Sequence, residues 1–410
     1  MKLFIQFYRI TIQETDVKIL IANLGSTSFK YSLFEMDNEA VLARGRVERI
    51  GDSLSPCTID IGGKRYETTV PVADHAVAVR QCLAQLTDPQ SGCIRDAAEV
   101  AAIGFKAVHA AGVSGVHIVT AEVIDAMAEL NDVMPAHNPP YVNAMRLLNE
   151  KLPEIPLVAA FETGFHLTIP ERNRYYGVPF EWIDEHYIQR WGFHGASHRY
   201  IAGRTAQLLK RGDLRIVSCH LGGSSSLCAI NKGESVAASM GTSSQTGLFQ
   251  NNRVGDFDPF VLPYLMKRLN KSLDEILNIM STQSGLLGLS GRSGDFRDLL
   301  QGIEEGDARS RLAVNVFVGY VRQYLGSYLV ELGGIDVIVF TGGIGENNPV
   351  LREMVCINLD ELGIKLSPHA NDAARGNEAP IHAEDSKTQI WVVPTNEEII
   401  VARQTVEALK

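Results

Sequence analysis

The sequence predicts an α/β protein built from two related domains, and three observations lead there. One unit occurs twice: the run Ile19 to Lys30 (Ile-Leu-Ile-Ala-Asn-Leu-Gly-Ser-Thr-Ser-Phe-Lys) and the run from Ile216 (Ile-Val-Ser-Cys-His-Leu-Gly-Gly-Ser-Ser-Ser-Leu) both read as an apolar strand entering a small-residue turn. Laid over each other, Asn23 falls on His220, Leu24 on Leu221, Gly25 on Gly222 and Ser28 on Ser225. Strand-like and helix-like segments alternate along the rest of the chain, the pattern of largely parallel sheets with crossover helices. The length, 410 residues, exceeds what one hydrophobic core serves well. Two copies at so long a period suggest paired domains, not a solenoid.

In the first copy, Ile19 to Ala22 is a buried strand and Tyr31 to Met36 a returning one, with Asn23, Gly25, Ser26, Thr27, Ser28 and Lys30 around the turn. Converging N–H groups of a Gly/Ser turn cradle phosphate oxygens, and a lysine adds fixed charge. The same residues also suit an ordinary β-hairpin, and this turn alone leaves both readings standing. The repeat favours the cradle, with each domain offering one hairpin to a shared cleft. Farther on, Asp74 to Leu86 has helical spacing, and Val100 to Val108 is a short strand ending at His109. Ala121 to Leu130 and Pro140 to Lys151 are helical, and Leu157 to Phe161 is a strand entering Glu162-Thr-Gly-Phe-His166. Pro170 to Trp191 reads as an irregular loop, and Gly192 to His198 opens the helix Arg199 to Leu209. Asp258 to Leu277 and Ala308 to Leu332 read as long helices. Asp336 to Phe340 is a strand feeding Thr341-Gly-Gly-Ile-Gly-Glu-Asn347, Ile390 to Val393 feeds Pro394-Thr-Asn-Glu-Glu398, and Glu398 to Lys410 is helical. Polar clusters fall at the strand ends, where α/β sheets place function.

Composition narrows the class. Hydrophobic content of 45% and charged content of 21% are those of a globular protein. A formal net charge of −10 argues against nucleic acid as the main partner. The six cysteines are scattered without a Cys-x-x-Cys pair, which reads as free thiols in a reducing, cytoplasmic setting. No apolar run reaches the roughly 18 residues of a membrane span. Residues 1–16 lack an unbroken apolar core and a small-residue cleavage site, so they read as an extra strand or a loose extension and not as a signal peptide.

The chain has no Gly-x-x-x-x-Gly-Lys-Ser/Thr loop and no Gly-x-Gly-x-x-Gly after a strand. Thr341 to Asn347 follows a strand directly, so its backbone can approach a ring or a phosphate closely, or simply form a strand-to-helix turn. Arg253-Val-Gly-Asp-Phe-Asp-Pro259 sets an arginine beside two carboxylates; it suits bidentate phosphoryl or carboxylate binding, or a surface ion pair. His194 and His198 do not match the metalloprotease pattern. Glu397-Glu398 offers a magnesium carboxylate or the acidic first turn of a helix.

Taken together these stretches resemble the acetate kinase family, within the superfamily of sugar kinases, heat-shock ATPases and actin. The resemblance runs from Lys18 nearly to the C-terminus, through Asn23 to Lys30, His137-Asn-Pro-Pro140, Phe161 to His166, Gly192 to His198, His220-Leu-Gly222, Ser239-Met-Gly241, Arg253 to Pro259, Ser290 to Asp298, Phe340 to Asn347 and Pro394 to Glu398. It implies two ribonuclease H-like (actin-like) domains from an internal duplication, with the active site in the cleft between them. The expected boundaries are residues 1–160 completed by 395–410, and 161–394. The implied reaction moves the ATP γ-phosphoryl group, with Mg2+, to the carboxylate of acetate. A homodimer is implied as well, and small molecules are the partners.

By resemblance, Arg253 stabilises the transferring phosphoryl group and His194 donates a hydrogen bond to it. Glu162 and Lys106 complete the catalytic set. Asn23, Ser26, Ser28, Lys30, His220, Gly222, Gly223 and Ser224 lie near the phosphates, and Asn23 and Glu397 near the metal. Asp295, Phe296, Arg297, Gly343, Ile344, Gly345 and Asn347 surround the nucleoside. Lys106, Val108, Ala136, His137, Phe193 and Ser244 line the acyl pocket.

Several positions depart from the family pattern. Lys106 stands where the family has an arginine, keeping the charge but losing the planar fork. Glu162 replaces an aspartate, and Gly223 replaces an asparagine, removing an amide at the phosphates. Ala136 replaces a leucine and Ser244 a proline, which widens the pocket and adds a hydroxyl; one methylene of shape change is worth about 1–3 kcal/mol of discrimination. Three readings follow: a kinase for acetate, a kinase with another acid or phosphoryl donor, and a catalytically weak nucleotide-binding protein. Retention of Arg253, His194, Asn23 and Glu397 favours the enzymes, because a binding module needs no transition-state clamp.

Overall fold

The computed structural model describes residues 17–135 and 137–410. The expected strand or extension at residues 1–16 and the Ala136 position lie outside the described residues. The chain divides into two compact units, one of the described residues up to Gly164 together with Asn396–Lys410, the other Phe165–Thr395.

The first unit is an eight-stranded sheet of β1 (Lys18–Leu24), β2 (Ser28–Glu35), β3 (Ala40–Glu48), β4 (Ser55–Ile61), β5 (Lys64–Val70), β6 (Val100–Ala107), β7 (Val116–Ile118) and β8 (Leu157–Phe161), in the order β5-β4-β3-β2-β1-β6-β8-β7. β1 is apolar on both faces because both are covered. Leu20 and Ala22 face a core that takes in Val79 and Leu83 of the helix His75–Leu86 and Val142 and Met145 of the helix Asn138–Lys151. The C-terminal helix Glu397–Ala408 packs on β1 and β6, and there Gly104 is required: a Cβ on it would lie 2.3 Å from Thr405 Oγ1. Each buried aliphatic side chain here contributes about 1.5–3 kcal/mol relative to exposure.

The second unit holds a six-stranded sheet of β9 (Arg215–His220), β10 (Ser226–Asn231), β11 (Glu234–Ala238), β12 (Val337–Thr341), β13 (Ala379–Pro380) and β14 (Gln389–Val392), in the order β11-β10-β9-β12-β14-β13. The 24-residue helix Ala308–Glu331 begins where Asp307 accepts from the N–H groups of Arg309 and Ser310. It buries Val314, Phe317, Val321 and Leu325, one stripe at helical spacing, in the core with Ile338 and Phe340 of β12.

The duplication is visible as topology. β3-β2-β1-β6-β8 and β11-β10-β9-β12-β14 share one sequence of directions: two antiparallel pairings, then two parallel ones. The largely parallel sheets expected from the alternation are therefore mixed. A βαβ rhythm specifies the parallel crossovers, but the meander β1–β5 and the hairpins β9–β11 need no helix and add antiparallel strands. Two further expectations are corrected. The stretch Asp258 to Leu277 is not one helix: Asn270 takes a left-handed conformation (φ 51°) that ends Leu262–Leu269, and Ser272 with Glu275 forms a capping box that starts Leu273–Thr282. Pro170 to Trp191 is not wholly irregular, since Pro170 and Pro179 precede short helical turns at Glu171–Arg174 and Phe180–Asp184.

Candidate functional site

In the first unit, Asn23, one residue before the end of β1, is exposed and pairs in register with Lys30 of β2. Its Oδ1 accepts from the hydroxyl of Tyr141 at 3.2 Å. The turn between them is closed by Gly25 N–H donating to Ser28 O at 2.8 Å, with His75 Nε2 3.0 Å from Gly25 O. Ser26, Ser28 and Lys30 thus sit on one tight hairpin beside Asn23.

Lys106 is near the end of β6, and its ammonium lies 2.6 Å from Glu397 Oε2 on the C-terminal helix. Burial alone would lower the lysine's pKa; Glu162, and then Glu397, overcome that and hold it above its ordinary value. Glu162, directly after β8, is 5% exposed. Lys106 therefore remains a cation. Val108 is half-buried just past β6, and His137 immediately precedes the helix Asn138–Lys151. No set of three or more His, Cys, Asp or Glu side chains able to hold a metal occurs among the described residues.

In the second unit, Leu221 follows β9 and is stitched to the end of β12: its N–H donates to Thr341 O at 2.8 Å, and its carbonyl accepts from the N–H groups of Ile344 (2.8 Å) and Gly345 (3.0 Å). This close approach needs Gly342, whose φ of +76° is left-handed and whose Cβ would sit 2.7 Å from Leu221 O. The expected Gly-rich turn is in fact a short helix, Gly342–Asn347, starting at the strand end. Fully buried Arg352 braces it, donating to the carbonyls of Gly345 (2.8 Å) and Glu346 (3.0 Å) and to Asn371 Oδ1 (2.7 Å). Burial pushes this guanidinium down to about 10.

The result is a cavity of about 460 Å3 lined by Gly222, Gly223, Asn251, Asp295, Phe296, Arg297, Gly343, Ile344, Asn347 and Asn348. That volume falls within the roughly 300–1,000 Å3 of small-molecule sites. Eight expected residues meet there. Gly345 is buried behind the lining, and His220 and Ser224 are not part of it. Asp295 is clamped by Arg297 at 2.6 Å, which holds its carboxyl below the usual range. Asn251 and Asn348 join them, and the sequence carries no signal for either. Asn348 caps the next helix by accepting from Leu351 N–H at 3.0 Å. Asn251 Oδ1 is buried without a hydrogen-bond partner, and its Nδ2 lies 3.4 Å from where a Cβ on Gly223 would stand. An asparagine between Gln250 and Asn252 carries no local signal of this.

Arg253 is not in an ion pair with its neighbouring carboxylates. Asp256 accepts from Gly247 N–H (2.8 Å) and from the Tyr324 hydroxyl (2.6 Å), while Asp258 accepts from Phe260 N–H (2.9 Å). The arginine instead reaches Gln250 Oε1 (3.1 Å), Ser244 Oγ (3.4 Å) and Ser224 Oγ (3.5 Å), all neutral, and burial lowers its pKa. A half-buried guanidinium among neutral acceptors retains charge for an incoming anion.

His194 takes a left-handed conformation (φ 55°) just before the helix Gly195–Leu209, and its ring stacks on His220 at 4.2 Å. Its Nδ1 is 2.7 Å from Ser226 Oγ, and His220 Nδ1 is 2.8 Å from Ser197 Oγ. Phe193 is buried beside it, its carbonyl 3.0 Å from His166 Nε2.

A duplicated α/β sheet whose strand ends carry Gly/Ser turns, a glycine-lined cavity and a half-buried arginine among neutral acceptors defines a phosphate-handling α/β protein. Residues 18–403 match the model of the Acetokinase family, and the chain belongs to that family. It is 42% identical over 392 residues to the acetate kinase of Natranaerobius thermophilus (95% of this chain, 98% of that one) and 40% identical over 396 residues to that of Bacillus subtilis (96% and 100%). Among solved structures it is similar to Porphyromonas gingivalis acetate kinase, with a TM-score of 0.87 at 36% identity, covering 96% of this chain and 100% of that one. It is also similar to a propionate kinase from Francisella tularensis, with a TM-score of 0.85 at 29% identity, covering 95% and 98%.

Proposed function

We propose that the chain transfers the γ-phosphoryl group of ATP directly to the carboxylate of acetate, reversibly giving acetyl phosphate and ADP. Family membership supports the reaction, and the single feature that carries it is Arg253, a half-buried cation with no carboxylate among its hydrogen-bond partners in the described residues. A carboxylate is already a nucleophile at neutral pH, so the protein needs no strong base. It has to position the reactants and balance charge on the moving phosphoryl group. Arg253 balances that charge, and His194 donates a hydrogen bond to a phosphoryl oxygen. Lys106 supplies the cation at the family's arginine position, held by Glu397 and Glu162.

ATP fits the second unit: the cavity of about 460 Å3 has backbone open at Gly222, Gly223 and Gly343 and a buried amide oxygen on Asn251 that awaits a donor. Asn251 stands beside Gly223 and supplies an amide near the one that position lacks. Asp295 to Arg297, Ile344 and Asn347 hold the nucleoside. Mg2+ fits the first unit's donors, since it takes one or two carboxylates, retains waters and binds substrate phosphates. Asn23 and Glu397 would hold it, with Ser26, Ser28 and Lys30 beside them; when bound, the metal neutralises phosphate charge.

A second reading, a preference for a larger or hydroxylated acid, is favoured by Ser244. Its hydroxyl, where the family has a proline, lies 3.4 Å from the Arg253 guanidinium. Similarity to a propionate kinase is consistent with it. All six cysteines are free thiols, five of them buried, and among the described residues no helix is long and apolar enough to cross a membrane. A cytoplasmic enzyme acting on small molecules follows as part of the proposal.

Trapping the acyl phosphate with hydroxylamine tests the reading, using ATP, Mg2+ and a panel of formate, acetate, propionate, butyrate, lactate and glycolate. Highest kcat/KM with acetate supports the first reading. A larger or hydroxylated acid in front supports the second and makes Ala136 and Ser244 the determinants. ATP binding without product from any acid overturns both.

A further inference from the structure

A neutral imidazole carries one N–H, so His194 can donate to a phosphoryl oxygen from Nε2 only if Nδ1 is the acceptor. The decision is made behind it. His194 Nδ1 lies 2.7 Å from Ser226 Oγ, the same oxygen is 2.9 Å from His198 Nε2, and His198 Nδ1 is 2.9 Å from Ser218 Oγ. Ser218 and His198 are fully buried and Ser226 is 1% exposed, so none of them can exchange a partner with water.

The hydrogens of this row can be placed by elimination. Ser226 has one hydroxyl hydrogen between two imidazole nitrogens, so it donates to one and accepts from the other; two donating imidazoles would strand that hydrogen. Suppose His194 Nδ1–H donated to Ser226. Then Ser226 would donate to His198 Nε2, and neutral His198 would donate from Nδ1 to Ser218. The Ser218 hydroxyl hydrogen would be left with no acceptor, because among the described residues Ser218 Oγ makes no other hydrogen bond. In the opposite direction every hydrogen inside the row is used: Ser218 O–H donates to His198 Nδ1, His198 Nε2–H to Ser226 Oγ, and Ser226 O–H to His194 Nδ1, which leaves the His194 Nε2–H pointing out of the row. Buried polar groups take the arrangement that satisfies them all. His198 is kept neutral as this requires: burial, with His166 and His220 adding to it, holds its pKa well below the ordinary value.

We propose that Ser218, His198 and Ser226 form a one-way hydrogen-bond relay that holds His194 as its Nε2–H tautomer, which makes Ser226 and His198 positioning residues for phosphoryl transfer. The left-handed backbone at His194 and its stacking on His220 hold the ring plane, and the relay holds the proton. The catalytic meaning rests on the phosphotransferase reading above; the tautomer does not.

The test is therefore a direct one. Nitrogen-15 NMR of histidine-labelled protein near neutral pH, with the His194 signals identified by their loss in His194→Asn, reports which nitrogen carries the proton. Nε2–H is expected. An Nδ1–H tautomer or an imidazolium overturns the proposal, whether or not the protein makes acyl phosphate. In Ser226→Ala the His194 signals are expected to shift to a mixture of tautomers. There kcat should fall about tenfold, less than the roughly 10²–10³ seen when a transition-state donor is deleted outright, with both KM values nearly unchanged. Ser226→Thr, which keeps the hydroxyl, is expected to retain the Nε2–H signature. A folded Ser226→Ala protein with wild-type signals and kcat would also overturn the relay.

Discussion

At the scale of single residues, Arg253 illustrates how surroundings settle what a side chain is for. Beside Asp256 and Asp258 in sequence it has the makings of a surface ion pair. In the fold, Gly247 and Tyr324 occupy Asp256, Phe260 N–H occupies Asp258, and the guanidinium is left among neutral oxygens. Arg253→Ala is expected to lower kcat by about 10³-fold or more, the range for a charge-stabilising arginine in phosphoryl transfer, with a smaller change in either KM. Steady-state kinetics with acetate and ATP check this, and a loss below about tenfold would remove Arg253 from the mechanism. Much of the residue set was legible because glycines and charged residues at strand ends stand out in an α/β sequence. Asn251, Ser218 and Ser226 did not stand out. A serine in an apolar strand gives no sign that it faces an imidazole, since its partner comes from another element.

At the scale of elements, most strands and helices were readable from periodicity and caps, and the misses share a cause. The capping box at Ser272 and the left-handed Asn270 divide one apparent helix into two, because end signals outrank an unbroken helical pattern. This pair is also unusual in its exposure. Phe260 at 89%, Tyr264 at 60%, Leu273 at 43% and Leu277 at 45% lie on it or just before it, while Ile276 is its one buried side chain. Contiguous exposed apolar surface marks an interaction site, and these side chains are the candidates for one. They are the first place to test the homodimer that the resemblance implies. Light scattering on the wild-type protein should give twice the 44.9 kDa chain mass, and Phe260→Glu with Tyr264→Glu should give a folded monomer. A monomeric wild-type protein at micromolar concentration would sink the idea.

At the scale of the whole molecule, buried histidines couple stability to pH. Burial pushes His109 and His166 down to about 4 from an ordinary 6.5. The unfolded chain then takes up protons before the folded one does. Stability is full above about pH 6.5 and falls as pH drops toward 4, by about 3 kcal/mol for each fully buried site. Urea midpoints measured between pH 7.5 and 5 should decline steadily, and a flat profile would show that these rings are accessible to protons when folded.

The sequence by itself determined the duplication, the order of strands and helices, the glycine-rich turns at strand ends and the family. Those properties are local or periodic, so each is carried by neighbouring residues. Only the tertiary structure decided which groups became partners. Lys106 meets Glu397 across 291 positions, and Leu221 is stitched to Thr341 and Ile344. The Ser218–His198–Ser226–His194 row comes from two strands and a helix N-terminus. Hydrogen bonds and charges act over a few ångströms in space, and separation along the chain does not say which groups will come within that range.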